Sequence, residues 1–561
     1  MKKFAFLLLI YSLWIPAQYT EINIIKEIRT QHKGLVVSAH PLASEAGARI
    51  LRQGGNAFDA AIAIQYALAV VYPQAGNLGG GGFLLGFRND GQHVAIDFRE
   101  TAPAKAHADM YLDAQGNANT LFSQNGSLAA GIPGSVAGFF ETLKHARLPM
   151  TQLIQPAIDL AEEGFAITRR EADLLNSQMV FFHKYNQQRT VFQKETPWKQ
   201  GDLLIQKELA ETLRRIQKNG AKGFYEGDTA QLIVDEMKRG NGIITLQDLK
   251  NYTAIVRKPL VFDYKNHQII SMPLPSSGGI LLAQILKMSS FESLEQYTHH
   301  APEAVQIMIE AERRAYADRA EFMGDPAYFS DQTQMLMSEN YLRKRWKSYQ
   351  KASATPSSEV GNIIAPTQES SETTHISVLD REGNAVAVTT TLNGLYGSKV
   401  VVSGAGFFLN NEMDDFSIKP GVPNMFGAVG GEANKIEPGK RMLSSMTPTI
   451  VLKNNKPFMV VGTPGGTTIP TSVFQTIVNV IDFKLSPNAA VNLPKFHHQW
   501  LPETVMAESG FPEASVKALE KWNYTFEKVN QIGRTELIVA DGSGNAVAVA
   551  DGRGDDSAAV E

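Results

Sequence analysis

No cysteine occurs among the 561 residues. That absence excludes disulfide scaffolds, thiol nucleophiles and thiolate metal sites together. Stability must come from packing, and a nucleophile must be oxygen or nitrogen. An excess of one charge is also lacking: the formal net charge is -4, which leaves no global basic field, so a small molecule is the expected partner and nucleic acid is not. Long hydrophobic runs are missing as well. The N-terminal "MKKFAFLLLIYSLWIPAQ" has two lysines, an apolar stretch from Phe4 to about Ile15 and the small Ala17. It is too short to span a bilayer, and no later run reaches the necessary length. Residues 1–17 read as a cleaved export signal, giving a periplasmic or secreted protein with no stable membrane anchor.

What is present is ordinary globular material, 43% hydrophobic and 20% charged, which excludes disorder as the general state. The stretch "SEAGARILRQGGNAFDAAIAIQYALAVVYP" predicts two packed helices, with Ser44 capping the first and Gly54-Gly55 ending it. "FLLGF" and "HVAIDF" flank the turn signal "RNDG" and predict a hairpin with Arg99 at its far end. Residues 151 to 350 are mainly helical, and 350 to 372, rich in Ser, Thr, Pro and Glu without periodicity, form the clearest linker. Beyond it the chain is strand-rich. "GNAVAV" occurs at 383 to 388 and at 544 to 549, each time three residues after an Asp, and predicts two similar hairpins. Helices combined with antiparallel hairpins indicate an α+β fold.

The linker turns abruptly into strand sequence at "SSETTHISVLD". An ordinary loop-to-strand junction explains this for an arbitrary sequence. If the chain were cut between Glu372 and Thr373, however, Thr373 would carry a hydroxyl together with an α-amine of pKa about 7.7 to 8.0 able to take its proton. One residue would then supply nucleophile and base. A loop at 380 to 384 sets Leu379 opposite Ala385 and Thr373 opposite Thr391, whereas a loop shorter by one residue would place Thr374 there.

The phrases "NLGGGGF", "DFRETAPAKA", "PSSGG", "AYADRAEFMGDP", "TTHISV", "NNEMDDF", "KRMLSSMTPTI", "GTPGG" and "FHHQWLP" stand in one order from about Gly34 almost to the C-terminus. In them the chain resembles the γ-glutamyltranspeptidase (γ-glutamyltransferase) family of N-terminal nucleophile hydrolases. The resemblance implies a four-layer αββα sandwich shared by two subunits of one precursor: a large subunit, 18–372, and a small one, 373–561, in a heterodimer. It implies self-cleavage at Glu372-Thr373, then attack by Thr373 on γ-glutamyl amides such as glutathione and transfer of the acyl group to water, amino acids or peptides. No cofactor or metal is implied.

By the same resemblance Thr391 helps position the Thr373 amine or hydroxyl. Arg99, Ser444 and Ser445 hold the glutamyl α-carboxylate, Asn393, Glu412 and Asp415 its ammonium, and Gly465 and Gly466 form the oxyanion hole. Taken singly these residues have duller explanations, namely a surface ion pair, turn serines, a solvated acidic cluster and a tight turn; their joint occurrence in the family's phrases outweighs them. Three positions depart from the pattern. Phe426 stands where many members have a lid tyrosine, Met442 where proline is common, and Thr463 where serine is common. "HHQW" at 497 to 500 lacks metal-ligand spacing and is assigned to packing, and "GNLGGGGF" lacks the Gly-Lys-Ser/Thr of a phosphate loop and is assigned to close backbone packing. The competing readings are a poly-γ-glutamate depolymerase, a β-lactam acylase relative and a non-catalytic glutamyl-binding protein.

Overall fold

The computed structural model describes residues 23–361, 373–419, 421–422, 424–425 and 430–561. The expected export signal at 1–17, Glu372 and Phe426 lie outside these residues. Two seven-stranded antiparallel sheets form the centre. The first runs, in spatial order, Ser557–Val560, Leu35–Ser38, Thr374–Leu379, Ala385–Thr391, Gly81–Phe87, His93–Asp97 and Ile255–Arg257. The second runs Glu27–Gln31, Asn545–Ala550, Glu536–Ala540, Lys456–Gly462, Thr449–Lys453, His267–Ser271 and Leu260–Tyr264.

Side chains alternate across each strand, so period-two sequence sorts residues between two cores. In the first sheet Val36, Leu84, Val386 and Val388 face outward onto the helices Pro41–Arg52 and Ala57–Val71. Leu35, Val37, Phe83, Leu85, Ala385 and Ala387 face inward and share a core with Val460, Val461 and Ile450 of the second sheet. That core extends to the helices Gly278–Ser289, Pro302–Phe322 and Thr468–Ile481 beyond the second sheet. The order helix, sheet, sheet, helix is the expected sandwich. Among the described residues no helix is long and apolar enough to cross a membrane.

Both "GNAVAV" segments are second strands of hairpins, and their turns are built alike. Asp380 accepts backbone bonds from Glu382 and Asn384, and Asp541 accepts them from Ser543 and Asn545. Asp380 also accepts from the Ala57 N–H at 3.0 Å, which joins the turn to the positive end of the second helix.

One local expectation is corrected. Ser44 does not cap the first helix, because Pro41 opens it and His40 occupies the cap, accepting from Leu42 through Nδ1. Ser44 lies one turn inside, where its hydroxyl bonds Ser38 and the Ser557 carbonyl and fastens the helix to the sheet edge. The early part of the predicted linker is anchored. Arg313 donates to the Ser357 hydroxyl at 2.5 Å, Ser357 donates to the Trp500 carbonyl at 2.8 Å, and Arg345 donates to the Val360 carbonyl at 2.8 Å.

Candidate active site

Thr373 immediately precedes its strand, and the strand register pairs Thr374 with Thr390 and Leu379 with Ala385. Thr373 and Thr391 therefore meet on the inner face at one end of the sandwich, with their hydroxyl oxygens 3.5 Å apart. The Asn393 N–H donates to Thr391 Oγ1 at 2.8 Å, while Asn393 itself has φ 76°, a left-handed conformation that asparagine tolerates.

The glycine run fixes this end of the hairpin. A Cβ on Gly79, Gly80, Gly81 or Gly82 would collide with the carbonyl oxygens of Phe408, Thr391, Phe98 and Thr389 respectively. Only bare backbone allows that approach. Asn77 completes the arrangement, donating through Nδ2 to the Thr391 carbonyl at 2.9 Å and to Thr390 Oγ1 at 3.1 Å.

Arg99 follows the strand His93–Asp97, and its backbone is clamped: Asp97 accepts its N–H, while Tyr252 and Arg441 donate to its carbonyl. Its fully buried guanidinium is paired with Glu412, with Asp415 at 2.5 Å and with Glu100 at 3.7 Å. It also donates to the carbonyls of Met442 and Leu443, each at 3.3 Å. The contact to residue 442 uses backbone, so methionine there supplies the same acceptor as proline.

Burial opposes the charge on Arg99, but Glu412, Asp415 and Glu100 together raise its pKa above the ordinary value. Burial pushes Glu412 and Asp415 up despite the guanidinium, and lifts Glu100 to about 8. Three carboxyl groups around one arginine therefore have more acceptor capacity than it satisfies. Glu412 shows this directly, because one oxygen pairs with Arg99 and the buried Oε2 has no hydrogen-bond partner among the described residues.

The serine pair stands across the cavity. Ser277 donates from its N–H and hydroxyl to the Ser444 carbonyl at 2.8 and 2.7 Å, which fixes the backbone of the pair. Ser445 Oγ accepts from Arg319 at 3.3 Å. Gly465 and Gly466 turn the chain from the strand Lys456–Gly462 into the helix Thr468–Ile481, with φ 142° and 56°. Gly466 lines the cavity with Thr373, and Gly465 stands next to it outside the lining.

Arg99, Thr373, Thr391, Asn393, Glu412, Asp415, Ser444, Ser445 and Gly466 thus surround one cavity. Five further lining residues were not assigned from sequence: Arg319, Asn424, Met446, Thr467 and Ile469. Arg319 lies within the quoted phrase "AYADRAEFMGDP" on a helix that also buries Glu310, Arg313 and Arg314, so charge alone does not single it out. Asn424 donates to Asp415 at 3.0 Å.

The sandwich is the fold of the N-terminal nucleophile hydrolases, and cephalosporin acylase from Bacillus halodurans shares it. It superposes with TM-score 0.82 over 98% of this chain and 99% of that one at 24% identity. The chain belongs to the gamma-glutamyltranspeptidase family, whose model matches residues 43–561. It is 44% identical over 544 residues to the glutathione hydrolase proenzyme of Escherichia coli (strain K12), covering 96% of this chain and 93% of that one. Helicobacter pylori gamma-glutamyltranspeptidase is 43% identical, with TM-score 0.57 over 63% of this chain and 100% of that chain.

Proposed function

We propose that the protein hydrolyses glutathione and related γ-glutamyl amides and transfers their γ-glutamyl group to amino acids or peptides. The observation that carries this reading is the meeting of Thr373 and Thr391 in the cavity that also holds the Arg99–Glu412–Asp415 cluster. A γ-glutamyl group brings an α-carboxylate and an α-ammonium to the site, and both must be paired when buried. The Arg99 fork with Ser444 and Ser445 receives the carboxylate, while Asn393, Glu412 through its unpaired Oε2, and Asp415 receive the ammonium. An incoming cation offsets the surplus of carboxyl groups around Arg99, and the same α-amino-acid clamp argues against an acyl group lacking it.

Maturation comes first. Thr373 Oγ1 attacks the Glu372 carbonyl carbon, the peptide C–N bond breaks and its nitrogen takes the hydroxyl proton. Water then hydrolyses the ester, leaving a Glu372 carboxylate and a Thr373 with free amine and hydroxyl. In turnover the amine accepts the hydroxyl proton as Oγ1 attacks the γ-carbonyl, and the proton passes to the departing amine as the C–N bond breaks. Water or an acceptor amine resolves the ester. The N–H groups of Gly465 and Gly466 stabilise the oxyanion in both half-reactions. The mature enzyme is a heterodimer of 18–372 and 373–561, exported to the periplasm or beyond.

Intact mass and N-terminal sequencing test the assignment. Wild type should give two chains, one beginning Thr-Thr-His-Ile, and Thr373→Ala one folded, inactive chain. Cleavage at this bond in the variant would remove Thr373 as nucleophile. Comparative turnover of glutathione, poly-γ-glutamate and an acyl-cephalosporin tests the substrate class, with glutathione expected to lead.

A further inference from the structure

The "HHQW" segment does more than fill the core. Its alternate residues point two ways: Trp500 holds Ser357, while His497 and Gln499 reach the loop that leaves Gly466. Gln499 Oε1 lies 2.5 Å from Thr467 Oγ1 and 2.9 Å from His497 Nε2, and His497 Nδ1 lies 2.8 Å from Thr471 Oγ1. Thr467 is therefore held from the side by Gln499, while its carbonyl accepts the Tyr316 hydroxyl. All five side chains are buried.

Gln499 Oε1 is the shared acceptor of this network. An amide oxygen accepts two bonds, so both Thr467 O–H and His497 Nε2–H donate to Gln499 Oε1. His497 Nδ1 is then bare, and the Thr471 hydroxyl proton is shared between it at 2.8 Å and the Thr468 carbonyl at 3.0 Å. This requires a neutral ring, and burial keeps His497 neutral, with its pKa pulled to about 4. Thr467 directly follows Gly466, lines the cavity and precedes the first turn of Thr468–Ile481.

We infer that Gln499 is a positioning residue: its side-chain carbonyl, oriented by His497, fixes Thr467 and thereby the Gly465-Gly466 backbone against the developing oxyanion. This rests on the proposed oxyanion role of those glycines. Loss of the Gln499 acceptor removes one of the bonds that hold Thr467 in place, and small displacements at such a site lower rates steeply. Because Gln499 stands behind the loop and does not line the cavity, the ground-state clamp on the glutamyl group is untouched.

The test is steady-state hydrolysis of a γ-glutamyl anilide by wild type, Gln499→Leu, Gln499→Glu, Thr467→Val and Thr467→Ser, with rates normalised to the cleaved small subunit. Gln499→Leu and Thr467→Val should each lower kcat by about 10- to 100-fold, a part of the effect of losing an oxyanion donor, with KM within about two-fold. Gln499→Glu and Thr467→Ser, which keep acceptor and donor, should recover most of the rate. The pair Gln499→Leu with Thr467→Val should lose no more than either alone. Undiminished kcat in Gln499→Leu, or additive losses in the pair, would overturn the inference. Should Gln499→Leu not fold or mature, the isosteric Thr467 pair decides alone: equal kcat in Thr467→Val and wild type overturns it. A wild-type enzyme without γ-glutamyl turnover would instead count against the proposed function.

Discussion

Replacing Gly80 by alanine adds one methyl group at the back of the hairpin that carries Thr373 and Thr391. The added Cβ would lie 2.7 Å from Asn77 Oδ1 and closer still to the Thr391 carbonyl oxygen. An ordinary carbon–oxygen approach is about 3.3 Å, so Asn77 must give by roughly 0.6 Å, and residue 391 or the glycine loop by more than that. Neither has slack, because the Thr391 carbonyl is held by Asn77 and that same Asn77 accepts from the Gly80 N–H and Ser135 Oγ. Overpacking of this kind costs about 1–3 kcal/mol. The displacement falls on Thr391, the residue proposed to position Thr373, where a shift approaching 1 Å costs on the order of 10²-fold in rate. Gly80→Ala should therefore show a lower urea midpoint and a rate of self-cleavage, followed on a denaturing gel, lowered by about two orders of magnitude. Gly91→Ala is the control: it is also strained, at φ 88°, but has nothing within 4 Å of the added carbon, and should lose stability without losing cleavage. Wild-type cleavage and stability in Gly80→Ala would refute the reasoning.

Arg99→Lys keeps the charge but replaces a fork by a point, so it satisfies Glu412 or Asp415 and not both. With charged hydrogen bonds worth about 1.5–3 kcal/mol, KM for γ-glutamyl donors should rise about 10- to 100-fold in initial-rate assays, and a KM within two-fold of wild type would remove Arg99 from substrate binding. Asp414, beside this cluster, is raised by burial to about 7. Between an ordinary carboxylate pKa near 4 and 7 the folded protein thus holds a proton that the unfolded chain has released, so this group lowers stability as pH rises through that window. Asp414→Asn should accordingly compare better with wild type at pH 8 than at pH 5 in urea midpoints; the same difference at both values would sink the assignment.

The hairpin was legible in the sequence, but two loop lengths were open for its register; the structure takes the longer loop, tied by Asp380 and Asn384, and a one-residue slip would send Thr373 to the wrong face. The glycine run was legible as close packing, although its targets, four carbonyl oxygens from distant segments, were not. Arg319 was missed for a physical reason. The helix Pro302–Phe322 is buried nearly all round, so its charged residues follow no solvent face, and which one meets the cavity depends on how the helix docks. Ser44 was misplaced because a proline at the first helical position outweighs a serine four residues into the element. Phe426 was read as an aromatic cover, and its position lies outside the described residues.

The strand order 557–560, 35–38, 374–379, 385–391, 81–87 weaves segments from both sides of Thr373 into one sheet. Severing the chain there leaves two pieces, neither of which contains a complete sheet. An uncut chain refolds by a first-order process, whereas the cut enzyme, once denatured, must bring its two pieces together from solution at a rate set by their concentration. The proposed cut at Thr373 would therefore also give up an easy route back to the native state, and the enzyme's working lifetime would depend on how slowly it first comes apart.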